Sequence, residues 1–153
     1  MGGILMNSNQ RSNLELSESQ FESFSDNTIL EELQEKLDES NSSKYVLIKH
    51  DYYSSDSDHG RELLRSFLQK LCESSFKSII VYLIDEGTLL LDESNPLHND
   101  IQQLIDRSEL IFADKEIIEQ NQIRCLETAK FVLLNSGSIA EEIIYLSDLL
   151  ILE

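Results

Sequence analysis

Short apolar runs alternate with segments of helical periodicity along most of this chain. The run from Tyr45 to Ile48 is continuously apolar, which is typical of a strand covered on both faces in a mostly parallel sheet. It is therefore expected at the centre of the sheet. Similar runs predict four more strands, at residues 77–84, 109–113, 130–134 and 148–152.

Apolar residues spaced by three and four positions predict a helix after each of the first four strands. A polar loop from His50 to Gly60 precedes the first helix, and a turn at residues 135–137 precedes the last. Pro96 is expected at the first helical position of the second helix. The four helices are expected at Leu63–Leu71, Pro96–Arg107, residues 115–128 and residues 138–146. Strands and helices in this order predict a doubly wound α/β sandwich with right-handed crossovers.

The residues before the first strand have a different composition. Residues 1–25 are rich in Ser, Asn, Gln and Glu and are expected to be a disordered acidic segment. Residues 26–43 are expected to form an amphipathic helix, from Thr28 to Glu39, and a short linker. That helix either packs on its own domain or docks on a partner. Residues 44–153 are then expected to form one domain, because a chain of this length has no room for a second domain of ordinary size.

Charge narrows the classes of partner. The chain has 29 acidic and 12 basic residues and a formal charge of −17, which opposes binding to nucleic acid or to an anionic membrane. No apolar run approaches the roughly 20 residues of a membrane span, and the first residues lack the pattern of a leader peptide. We therefore expect a cytoplasmic protein with no membrane or nucleic-acid partner.

Polar residues follow the predicted strands, and the carboxyl ends of parallel strands meet at one edge of the sheet. We call this set the strand-end rim. It could hold a small polar ligand, or a cation through Asp51, Asp85 and Asp114; alternatively, the acids only cap the adjoining helices. We predict no metal and no cofactor, because no ligand spacing or phosphate-binding motif is present. The rim consists of His50, Asp51, Asp85, Glu86, Gly87, Ala113, Asp114, Asn135 and Ser136.

The order of these segments resembles the C-terminal DsrE-like domain of the YedF family, sulfurtransferase-like proteins linked to selenium metabolism. The resemblance covers residues 44–153 and implies a flavodoxin-like or DsrE-like three-layer sandwich around a mostly parallel five-stranded sheet. It also implies a cytoplasmic homo-oligomer with a partner in sulfur relay. It rests on the segments YVLIKHD, GRELLRSFLQKL, KSIIVYLIDEGTLLL, LHNDIQQLIDRSELIFA and LLNSGSIAEEIIYLSDLLIL.

Two departures from that family affect the expected activity. Residues 1–43 lack the Cys-Pro motif of the family's usual N-terminal TusA-like domain, and Ala113 and Glu116 stand where members commonly have cysteine. Persulfide transfer requires a thiolate, which neither residue provides. We therefore expect a noncatalytic binding or assembly subunit in sulfur or selenium metabolism.

Two alternatives remain at this point. Cys125, beside Arg124, is the candidate nucleophile of a sulfur carrier because a neighbouring cation favours thiolate, whereas Cys72 is expected to be a buried apolar residue. A receiver-like regulatory domain would bind a cation at Asp51 and Asp114. The fifth strand, however, has no lysine beyond it to contact a phosphoryl group.

Overall fold

The computed structural model describes residues 29–33, 42–124 and 130–153. The chain divides into two units between Asn41 and Ser42. In the first unit, residues 29–33 are helical, within the predicted amphipathic helix. The rest of that helix and the predicted disorder of residues 1–25 lie outside the described residues.

The second unit, Ser42–Glu153, is built around one five-stranded sheet in which every neighbouring pair is parallel. The strands lie in the order β4-β3-β2-β1-β5, so β3, β2 and β1 are internal. The predicted α/β class, with a mostly parallel five-stranded sheet, is therefore confirmed. The centre of the sheet is β2, and the prediction that the strand at Tyr45–Ile48 is central was wrong, because β5 alone is added on its other side. The strands are β1 (Ser43–Ile48), β2 (Ser78–Leu83), β3 (Leu110–Asp114), β4 (Phe131–Leu134) and β5 (Leu149–Leu152).

Both faces of the central strands are buried, as their continuous apolar runs predict. Val46 and its register partner Val81 belong to the larger core on one face, and both are fully buried. Leu47 and Tyr82, the next register pair, belong to a smaller core on the other face. Successive side chains of a strand point to opposite faces, so only strands covered twice bury both sets.

Helices cover the two faces unequally. Four helices contribute buried side chains to the larger core: α1 (Asp58–Glu73), a 3-10 helix (Asp85–Leu91), α2 (His98–Arg107) and α3 (Lys115–Gln120). The last helix, α4 (Ser136–Ile144), packs Ile143 against the smaller core. These layers make the three-layer sandwich.

The connections reverse direction once. β2, β3 and β4 are added in turn on one side of β1, and the chain then returns to place β5 on the other side of β1. In open α/β sheets, such a reversal opens a crevice beyond the carboxyl ends of the two strands on either side of it. The reversal here lies between β1 and β5, where the loop after Ile48 begins.

Local capping moves several helix ends from their predicted positions. α1 begins at Asp58, inside the predicted loop, because the Ser57 hydroxyl accepts a hydrogen bond from Gly60 N at 3.0 Å. The predicted turn at residues 135–137 was wrong, since α4 begins at Ser136. There the Asn135 side chain accepts from Ser138 N at 2.9 Å. In both cases a side-chain acceptor satisfies the free N–H groups of a first turn.

Other differences lie on the connections after β2 and β3. Pro96 is not the first helical residue, because α2 begins at His98 after a turn in which Asn95 Oδ1 accepts from Leu97 N at 2.9 Å. The 3-10 helix at Asp85–Leu91 was not predicted. α3 ends at Gln120, short of the predicted residue 128, and residues 125–129 lie outside the described residues.

Candidate functional site at the strand ends

The strand-end rim lies at one edge of the sheet, as predicted, because all five strands are parallel. Its side chains do not form one cluster, however. Side-chain contacts join His50 to Glu86 at the ends of β1 and β2, and Ser136 to the helix after β3. Ala113, between these two groups, is fully buried and offers no polar atom.

The first group is centred on His50. Its Nδ1 lies 2.8 Å from Glu86 Oε1, and its ring stacks on Tyr52 with centroids 4.7 Å apart and planes 4° from parallel. The contact with the Glu86 carboxylate fixes the orientation of the imidazole ring and involves only Nδ1. Among the described residues, no hydrogen bond to Nε2 occurs, so this nitrogen is the one that can bind a ligand or move a proton.

The electrostatics around this pair are negative. Burial, and then the charges of Glu86 and Asp56, raise the pKa of the Tyr52 phenol. Tyr52 is therefore neutral at pH 7 and can donate a hydrogen bond. Lys49 follows β1 and Glu153 follows β5. Lys49 Nζ lies 2.5 Å from a Glu153 carboxylate oxygen, and this hydrogen bond lowers the pKa of Glu153.

Backbone contacts hold the β1 and β2 ends together. Gly87 N donates to Lys49 O at 3.1 Å and to Ile84 O at 2.8 Å, so the first turn of the 3-10 helix lies directly on the end of β1. A β-carbon at Gly87 would come within 2.1 Å of Ile48 O. Position 87 therefore requires glycine because of this close approach. The loop after β1 is joined to β5 in the same way, since Ser54 N donates to Glu153 O at 3.0 Å.

The three acids proposed as cation ligands have separate roles. Asp51 accepts a hydrogen bond from the Asn95 side chain at 3.0 Å, and Asp114 caps α3 by accepting from Glu116 N at 3.1 Å. Asp85 begins the 3-10 helix with a φ of 47°. In the described ranges, no group of three or more His, Cys, Asp or Glu side chains could hold a metal ion.

The second group lies at the ends of β3 and β4. Ser136 Oγ donates to Glu116 Oε1 at 3.3 Å, and Asn135 caps α4. Glu116 occupies a position where the resembling family has cysteine, and it is exposed. This group therefore presents a carboxylate and a hydroxyl to solvent, and no thiol.

Of the two cysteines, Cys72 lies in the part of the chain that the structure describes. Cys72 is half-buried on α1 against the larger core, and burial raises the pKa of its thiol. A raised pKa disfavours the thiolate that sulfur chemistry needs. Cys125 lies outside the described residues, so its predicted catalytic role stays a prediction.

A polar cavity of about 290 Å³ is lined by described residues that do not belong to the rim. The described residues that line it are Asp92, Glu93, Gln122 and Arg124. They come from the connection between the 3-10 helix and α2 and from the segment after α3. The sequence carries no signal for this cavity, because connecting segments have no hydrophobic period that would place them together.

Comparisons with known proteins identify a shared fold. No protein-family model matches the chain, and no curated protein matches it. A conserved protein of unknown function from Bacteroides thetaiotaomicron is similar in structure, with a TM-score of 0.51 and 14% sequence identity over 74% of this chain and 97% of that chain. At this identity the likeness supports the α/β fold alone. Within the residues that the structure describes, no helix is long and apolar enough to cross a membrane.

Proposed function

We propose that this chain is a DsrE/YedF-like protein of sulfur or selenium metabolism that acts as a noncatalytic binding or assembly subunit. In this proposal it is cytoplasmic, forms a homo-oligomer and uses the strand-end rim to contact a ligand or a sulfur-relay protein. The observation that supports the proposal best is Ala113, which is fully buried at the end of β3, where a family member would have a thiol.

The surroundings of Cys72 favour the same proposal. Its thiol packs against the larger core, and burial opposes its ionisation more than the nearby Arg107 favours it. A thiol in this setting behaves as a small apolar group. Among the described residues it is the one free cysteine, and it is a poor acceptor of sulfane sulfur.

The rim nevertheless offers groups for binding. His50 and Glu86 keep 28% and 49% of their side-chain surface exposed while bonded to each other, so a ligand can reach both. His50 follows β1, which borders the reversal of strand order, and α/β sheets usually bind ligands at such a reversal. This pair supports binding without requiring a covalent step.

The proposal can be tested with a persulfide donor and intact-mass measurement of the purified protein. We expect no stable addition of about 32 Da, the mass of one sulfur atom on a thiolate, for the wild type, Cys72→Ser or Cys125→Ser. A positive control is Glu116→Cys, which places a thiol at an exposed position in the first turn of α3. This variant should take up sulfur.

An adduct that forms on the wild type and disappears only in Cys125→Ser would replace the proposal with the carrier alternative. An adduct on neither cysteine, together with one on Glu116→Cys, would support the noncatalytic function. Sedimentation of the same samples tests the assembly component separately. A species of 17.6 kDa at all concentrations would contradict it.

A further inference from the structure

The polar cavity beside the 3-10 helix contains charges of both signs. Arg124 is exposed, and it forms no ion pair or hydrogen bond with any described residue. Asp92 and Glu93 line the same cavity, yet neither is paired with this guanidinium. One cation and two anions therefore line the same cavity without pairing with each other. A ligand that carries both a positive and a negative charge can bind between them.

One of the carboxylates is held in a fixed position. Asp92 Oδ1 accepts hydrogen bonds from Ser94 N at 2.9 Å and from Ser94 Oγ at 2.8 Å. These bonds, the backbone one first, lower the pKa of Asp92, so it is ionised at pH 7. The second carboxylate oxygen can then accept from a ligand cation. Asp92 is thus preorganised, which reduces the entropy lost on binding.

The size of the cavity limits the ligand. The cavity of about 290 Å³ is partly open to solvent and lies at the small end of the range for small-molecule sites, so it suits a ligand as small as a free amino acid with a polar side chain. A guanidinium binds a carboxylate through parallel hydrogen bonds, and carboxylates bind an ammonium group.

We propose that this cavity binds a free α-amino acid, with Arg124 on the α-carboxylate, Asp92 and Glu93 on the α-ammonium group, and Gln122 on polar side-chain atoms. This site shares no residue with the strand-end rim. It stands whether or not the noncatalytic function is correct.

L-glutamine is the probe, because its uncharged side chain adds no repulsion in a chain with a formal charge of −17. By titration calorimetry we expect a Kd tighter than about 1 mM. Two analogues test the two charges, since 4-carbamoylbutanoate lacks the α-amino group and 4-aminobutanamide lacks the carboxylate. Each should bind about tenfold more weakly, or worse, because each loses one set of charge-assisted hydrogen bonds.

Arg124→Gln should likewise raise the Kd for L-glutamine about tenfold or more. The matched control is Lys115→Gln, which also removes one exposed positive charge but lies outside the cavity. It should leave the Kd unchanged. The proposal is overturned if L-glutamine does not bind, if either analogue binds as tightly as L-glutamine, or if the two variants have equal effects.

Discussion

Replacing Gly87 with alanine tests how closely the strand-end rim is tied to the core. A β-carbon there would lie 2.1 Å from Ile48 O and 2.9 Å from Ile48 C, both backbone atoms of the internal strand β1. Neither atom can rotate away as a side chain would. The backbone of Gly87 does not have positive φ, so alanine could adopt its conformation and the effect is steric.

Relief of this clash requires the 3-10 helix to move away from β1 by more than an ångström. The two hydrogen bonds from Gly87 N, to Lys49 O and Ile84 O, would then lengthen. Overpacking against a fixed backbone together with weakened hydrogen bonds predicts a loss of roughly 2–3 kcal/mol in the free energy of unfolding. For a domain of this size the loss corresponds to a fall in Tm of roughly 10 °C.

Gly137→Ala is the matched control. A β-carbon there meets only Asn135 Oδ1, at an ordinary 3.6 Å, and the residue lies in the first turn of α4. Alanine favours helix over glycine, so the free energy of unfolding should stay unchanged or rise by up to about 1 kcal/mol. Urea unfolding followed by circular dichroism measures both variants. Equal midpoints for Gly87→Ala and Gly137→Ala would refute the steric argument.

Two predictions concern titrating groups. Burial, before the charge of Glu142 and the effect of Tyr45, raises the pKa of Tyr82 to about 12. The folded state therefore keeps a proton that the unfolded state releases near pH 10, so stability is full below pH 10 and falls between pH 10 and about 12. Tyr82→Phe should flatten this fall, and urea midpoints that decline equally in both proteins would contradict the assignment. At the rim, Glu86→Gln should lower the pKa of Tyr52 toward its ordinary value, because Glu86 raises it next after burial. An NMR titration that resolves the Tyr52 ring measures this change, and an unaltered Tyr52 titration would mean that the carboxylate does not act on the phenol.

The fold could be predicted because its strands are buried on both faces. Continuous apolar runs at Tyr45–Ile48 and within residues 77–84 indicate strands of a parallel sheet when helical periodicity follows each of them. The parallel arrangement then placed His50 and Glu86 at one edge, and the structure brings them into contact. The pairing itself was not predictable, because 36 residues separate the two side chains.

The predicted helix starts were wrong where a polar side chain can either cap a helix or stabilise a turn. Asn95 and Asn135 are both good capping residues, and the pattern could not show that Asn135 begins a helix whereas Asn95 supports a turn before Leu97. The 3-10 helix was missed because short helices of this type have no distinctive period. That Arg124 and Asp92 line one cavity was not predictable for a similar reason, since each lies on an irregular connection and only the fold brings them together.

The position of β5 has a consequence for the order in which the domain can form. It pairs with β1, and Lys49 and Glu153, which join the two strand ends, are 104 residues apart in the chain. Each doubling of a closed loop adds about 0.6 kcal/mol of closure entropy, and such distant contacts slow folding. β2, β3 and β4 each pair with the strand just before them, but β1 gains its second neighbour only across almost the whole domain. The surroundings of His50, including the hydrogen bond from Ser54 to Glu153, are therefore completed by the most remote pairing in the sheet.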